Sequence, residues 1–130
     1  MTQSQNGFWG YHLMLDCGGL KCNDLCLNDT SYLKQFVLDI LDATEMKAWG
    51  EPIIAQLTES DGEFPDCLSG FTVIQLLHTS NMTLHICDKV KTLYFDLFSC
   101  KQFKTDNVFK VVDKYFNPSS VRVNYITRQS

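Results

Sequence analysis

Apolar positions along the chain recur with two periods, and the switches between them outline a succession of strands and helices. Tyr11 to Asp16 reads as a strand, which Cys17-Gly18-Gly19 is expected to end. Leu33, Phe36, Val37, Ile40 and Leu41 fall on one helical face, with Asp29, Thr30 and Ser31 as candidate N-caps. Glu51 to Thr58 has strand character, and Glu59-Ser60-Asp61-Gly62-Glu63-Phe64-Pro65-Asp66 has the composition of a surface loop. Three β-rich runs follow, Phe71 to His78, Asn81 to Cys87 and Thr92 to Ser99. Asp88-Lys89-Val90-Lys91 is short enough to join the last two as a hairpin. Val108, Val111, Val112, Tyr115 and Phe116 mark a second helical face, stopped at Asn117-Pro118. Val121, Val123 and Tyr125 alternate with Arg122 and Asn124 in a last strand. The order β-α-β-β-β-β-α-β predicts an α+β fold. It is a two-layer sandwich, a mostly antiparallel sheet with both helices on one face.

Composition narrows the class. With 130 residues, 45% apolar and 20% charged, and no repeat or linker, residues 1–130 are expected to form a single domain. The net charge of −4 and the scatter of Lys and Arg leave no basic stripe for phosphates, so no nucleic-acid partner is expected. The polar N-terminus predicts neither a signal peptide nor a membrane span, hence a cytoplasmic protein with its six cysteines reduced. Cys17, Cys22 and Cys26 lack the spacing of familiar zinc sites and read as thiols in or near a loop, with no metal.

The candidate chemistry lies on the hairpin. If residues 88–91 connect it, Cys87 faces Thr92, His85 faces Tyr94, Thr83 faces Asp96 and Ser80 faces Ser99. One face then carries Met82, Leu84 and Ile86 against Leu93, Phe95 and Leu97, fit for packing under helices. The other gathers Thr79, Asn81, Thr83 and His85 with Tyr94, Asp96, Phe98 and Cys100. Ser80 and Cys100 share the open end. That density of reactive groups is unusual for a plain sheet.

The run Ser80-Asn81-Met82-Thr83-Leu84-His85, followed after fourteen residues by Cys100 in Tyr94-Phe95-Asp96-Leu97-Phe98-Ser99-Cys100, resembles the processing and catalytic segment of prokaryotic S-adenosylmethionine decarboxylase proenzymes. Gly10-Tyr11-His12-Leu13 is similar to that family's N-terminal Gly-x-His-Leu strand. The resemblance implies that Ser80 attacks the carbonyl of Thr79, that the resulting ester breaks by β-elimination, and that the new N-terminus becomes a covalent pyruvoyl cofactor. Its carbonyl would form a Schiff base with the substrate amine and act as an electron sink as carbon dioxide leaves. By the same resemblance Cys100 returns a proton to the substrate carbon, as a free thiol of ordinary pKa ~8.5 can at neutral pH. His85 assists the elimination as a base, and Ser69 matches a second processing serine. The implied product serves spermidine biosynthesis.

Geometry adds a condition. Five residues of extended strand span about 16 Å, so His85 cannot reach the Ser80 of its own strand. A partner subunit must supply it, which agrees with the homodimer that the resemblance implies. Phe8 and Trp9 are candidates to stack on the adenine of S-adenosylmethionine. Taken singly, His85 reads as a structural histidine, Cys100 as a small buried hydrophobe and Asp96 as a hydrogen-bonded sheet carboxylate. The chain departs from the family where Glu is replaced by Thr79, His by Asn81, and Thr-Trp-Pro-Glu by Ile86-Cys87-Asp88. Two alternatives stand beside the decarboxylase of S-adenosylmethionine. One is an unprocessed, noncatalytic relative that binds S-adenosylmethionine or a partner, and the other a pyruvoyl decarboxylase of arginine or ornithine.

Overall fold

The computed structural model describes residues Trp9 to Gln129. Six strands, β1 (Trp9–Leu20), β2 (Ile53–Leu57), β3 (Gly70–Leu77), β4 (Ser80–Cys87), β5 (Thr92–Ser99) and β6 (Pro118–Gln129), form one sheet in the order β2-β3-β4-β5-β1-β6. Every neighbouring pair is antiparallel. A one-turn helix, α1 (Asp24–Leu27), precedes the two long helices, α2 (Thr30–Thr44) and α3 (Thr105–Phe116). The architecture is the expected α+β sandwich, with α1 as an added turn.

Local chemistry sets the helix ends. The Asp29 carboxylate accepts from the Ser31 amide at 2.9 Å and so caps α2, which ends at Glu45 in a left-handed conformation. Asn117, at φ 40°, ends α3, and Asn is among the residues that tolerate this region. Pro118 follows as the first residue of β6, where its missing N–H is least costly.

The core forms where the helical stripes meet one face of the sheet. Leu33, Phe36, Val37 and Ile40 of α2 and Val108, Val112 and Phe116 of α3 are buried together with Leu13, Leu15, Val73, Met82, Leu84, Ile86, Leu93, Phe95 and Leu97. Phe36 sits at the centre, with ring centroids 6.0 Å from Phe95, 5.4 Å from Tyr115 and 4.9 Å from Phe116. The Tyr32 hydroxyl donates to the Tyr115 carbonyl at 2.6 Å and the Tyr115 hydroxyl to Asp39, which ties α2 to α3.

Two expectations are corrected. Cys17-Gly18-Gly19 does not end β1, because β6 pairs alongside it and carries it to Leu20 through Gly18 opposite Ser120 and Leu20 opposite Pro118. Gly19 takes the one positive φ in that run, 61°, and the Ser119 hydroxyl donates to its carbonyl at 2.9 Å. Cys17 is consequently not a loop thiol. It is buried on the helix side of β1, and burial pushes its pKa up to about 11, which makes it unreactive.

Glycine is obligatory at the start of β3. Gly70 has φ 151°, and an added Cβ would stand 1.7 Å from the Ile86 carbonyl oxygen, so the backbones of β3 and β4 meet there too closely for any side chain. Removing the central ring tests the core. Phe36→Ala is expected to lower unfolding stability by about 3–5 kcal/mol, whereas Leu25→Ala should change it by less than about 0.5 kcal/mol, both read by urea denaturation. The contrast follows from Phe36 being fully buried and Leu25 being 82% exposed.

Candidate active site

Thr79 sits at the second position of the two-residue turn, His78-Thr79, that joins β3 to β4. It has φ 61°. A β-branched residue is a conformational outlier there, because its Cβ crowds the following carbonyl, at a cost of roughly 1–2 kcal/mol. Such a conformation persists only where neighbours over-determine it. Here Lys47 to Gly50 runs beside the end of β3. The His78 amide donates to the Lys47 carbonyl at 3.1 Å and the Trp49 amide to the Leu76 carbonyl at 2.8 Å. The buried Gln75 side chain donates to the Gly50 carbonyl at 3.0 Å, and the Trp49 ring meets His78 edge to face. The Thr79 hydroxyl folds back to donate to the His78 carbonyl at 2.6 Å.

Ser80 follows as the first residue of β4, half-buried and opposite Ser99. Its hydroxyl donates to the Ser99 Oγ at 3.1 Å, and that buried oxygen also accepts the Lys101 amide at 2.8 Å. The proton of Ser80 is thereby directed at Ser99. The pleat places Ser80 and Ser99 on the helix side of the sheet, in the rows of Met82 and Leu97. Cys100 follows Ser99 directly and is exposed. Thr79, Ser80, Ser99 and Cys100 therefore share one end of the sheet, as the hairpin register predicts. That register holds throughout, from Cys87 opposite Thr92 to Ser80 opposite Ser99.

His85 lies toward the other end, on the open face, between Thr72 of β3 and Tyr94 of β5. Thr72 Oγ1 and His85 Nδ1 share a hydrogen bond of 2.8 Å. Ser69, the candidate second processing serine, is buried before β3, where it donates to the Asp66 carbonyl at 2.5 Å. Thr72 could have been found from sequence, because a two-residue turn at His78-Thr79 fixes Thr72 opposite His85. Ser99 follows likewise from the hairpin register that sets it opposite Ser80, whereas Gln75 and the 47–50 segment carry no such signal, since their roles depend on packing between distant parts of the chain.

The open face holds a second pair missed in the sequence. His12 Nε2 and Asp96 Oδ1 are 3.0 Å apart, and Phe98 meets the His12 ring edge to face. Asp96 is thus a hydrogen-bonded sheet carboxylate. Around this pair Ile74, Leu76, Tyr94 and Ile126 are all at least 39% exposed, so the face is uncovered and partly apolar. Trp9 opens β1 at the end of the sheet that carries Ser80, on the helix side rather than with His12. Phe8, the other adenine-stacking candidate, lies outside the described residues. Among those residues, no helix is long and apolar enough to cross a membrane.

Comparison with known proteins bears on the fold and the family. Sequence comparison with curated proteins gives no significant match. The fold is similar to the crystal structure of the adenosylmethionine decarboxylase from Aquifex aeolicus VF5, with TM-score 0.72 and 12% identity over 92% of this chain and 89% of that one. The family profile described as S-adenosylmethionine decarboxylase matches residues 11–129, from the first strand through the last, and the chain belongs to that family.

Proposed function

We propose that the chain is a pyruvoyl-dependent decarboxylase of S-adenosylmethionine that cleaves itself between Thr79 and Ser80. The observation that carries this reading is the left-handed Thr79 immediately before a serine whose hydroxyl is already engaged by Ser99. Attack of Ser80 Oγ on the Thr79 carbonyl carbon breaks the peptide C–N bond and leaves an ester. Cleavage of that bond releases the backbone conformation in which Thr79 is held, so strain favours the step. Ser99 Oγ lies where it can accept the hydroxyl proton while giving up its own, so that the net transfer runs from Ser80 Oγ to the Ser80 nitrogen as the C–O bond forms and the C–N bond breaks. Neither Thr79 nor Asn81, the two departures beside the cut, removes the nucleophile.

The residues present suit the pyruvoyl group in one further respect. Ser80, from which it would derive, is half-buried at the mouth of the sheet, with Cys100 next to its strand partner. The group would supply an electron sink for loss of carbon dioxide. The chain's own contributions are proton handling and positioning. Cys100 holds a proton on Sγ for delivery to the product carbon, and the bond between Thr72 and Nδ1 of His85 leaves proton transfer to Nε2.

Two subunits are needed to assemble this chemistry. His85 stands five residues along β4 from Ser80, about 16 Å in an extended strand. A twofold partner whose open sheet face packs on this one would bring His85 and Thr72 of one chain toward the end of the sheet that carries Ser80 and Cys100 in the other. The uncovered Ile74, Leu76, Tyr94 and Ile126 support such packing. S-adenosylmethionine is the substrate by family, and its decarboxylated product would feed spermidine biosynthesis.

Substitutions separate the roles. Ser80→Ala should run as one uncut band on a denaturing gel, while Cys100→Ala should still be cut but release labelled carbon dioxide from carboxyl-labelled S-adenosylmethionine at least tenfold more slowly. Release from arginine or ornithine instead would refute the nucleoside substrate. In the uncut Ser80→Ala background, adding Thr79→Gly should raise unfolding stability by about 0.5–1 kcal/mol, because glycine adopts positive φ without the steric cost. With Ser80 intact, Thr79→Gly should slow cleavage, measured as the fraction cut over time. Cleavage at the unchanged rate would show that strain at Thr79 does not drive the step.

A further inference from the structure

The outer edge of β6 has no role in the chemistry above. β6 runs for twelve residues, pairs with β1 on one side, and has no strand on its other side among the described residues. Sheet edges are usually blunted by shortness, lysine, interior proline or a bulge. The opposite edge obeys this rule, since β2 is five residues long and follows Pro52. β6 does not. Its single proline is its first residue, it contains no lysine and only Arg122 and Arg128 as charges, and its register with β1 does not slip from Trp9 opposite Gln129 to Gly18 opposite Ser120.

The side chains of β6 are as unusual as its backbone. Val121, Val123 and Tyr125 project to the helix side, as their β1 partners Cys17, Leu15 and Leu13 do. Leu13 and Leu15 are fully buried, whereas Val121, Val123 and Tyr125 are 44%, 47% and 40% exposed. They form an apolar stripe at the rim of the sheet, beside a groove that Phe103, Lys104 and Lys110 line from the α3 side.

We propose that this edge is a seam between two copies of the chain, joined by antiparallel pairing of β6 with its twofold mate into one continuous sheet. The strand is complementary to itself in one register. Twofold pairing sets residues of equal parity opposite each other, because the helices of both copies lie on the same side. Centred on Arg122 it would oppose that arginine to itself and centred on Tyr125 it would oppose Arg122 to Arg128, both unfavourable, while centred on Asn124 it would leave Val121 facing the polar Thr127. Centred on Val123, the pairing sets Val123 against Val123 and Val121 against Tyr125, and places Arg122 opposite Asn124. All three exposed apolar side chains then meet apolar neighbours, and no like charges face each other. This seam is separate from the open sheet face and does not depend on the decarboxylase reading.

The test is the mass of the full chain in solution, by sedimentation velocity. Val123→Lys, which would set two ammonium groups against each other on the twofold axis, should halve the particle mass and leave the circular dichroism spectrum unchanged. Val123→Cys provides a second measurement that survives if the lysine variant misfolds. Oxidised glutathione should convert it to a disulfide joining position 123 of two chains, identified by peptide mass mapping. The same treatment of Arg128→Cys should give no symmetric link. Adding Ile74→Lys on the open face should leave the link at position 123 intact, which separates this seam from the sheet-face contact. A wild-type chain that sediments as a monomer, an unchanged mass for Val123→Lys, or no link at position 123 would each overturn the proposal.

Discussion

A threonine held in a left-handed turn is the constraint around which the site is built. The β3–β4 connection has only two residues, and it closes with Thr79 at φ 61°. Glycine or asparagine would relieve the crowding at little cost. The chain instead keeps a β-branched residue there and braces the turn from outside through Lys47, Trp49 and Gly50. The proposed cleavage would draw on this rigid support and local strain at the bond between Thr79 and the serine that begins the next strand. The bracing segment is itself anchored by the buried Gln75, so the integrity of the β3 end and the geometry of the turn are one property.

The sheet then divides the reactive groups by position and by face. Antiparallel register gives Ser80 and Cys100 to one end, and the pleat turns the Ser80 hydroxyl toward Ser99 on the helix side. His85 and its partner Thr72 fall nearer the opposite end on the uncovered face. A single sheet cannot bring these sets together, because strands do not bend back within a few residues. Twofold symmetry offers a route, since it reverses strand direction and sets unlike ends of two identical faces side by side. The proposed β6 seam uses the other dimension of the sheet, its hydrogen-bonding edge. The two contacts are geometrically independent.

Much of this was legible in the sequence for definite physical reasons. A four-residue connection at 88–91 between runs of alternating pattern leaves one register in which Met82, Leu84 and Ile86 share a face with Leu93, Phe95 and Leu97, and that register is present. The helical stripes at Leu33 to Leu41 and Val108 to Phe116 likewise face the core. The end of β1 is not legible in the sequence, because Gly18 and Gly19 read as a turn locally, whereas pairing with β6 about a hundred residues later extends the strand. Propensity yields to such long-range pairing. The αL state of Thr79 was not foreseeable, since threonine gives no local preference for it.

The proposed self-cleavage can be read most directly from the intact mass of freshly purified wild-type protein, followed by N-terminal sequencing. Two chains are expected, residues 1–79 ending in the Thr79 carboxylate and residues 80–130 blocked to Edman degradation by a keto group in place of the amine. A single species at 14.9 kDa, with an ordinary serine at position 80, would contradict it.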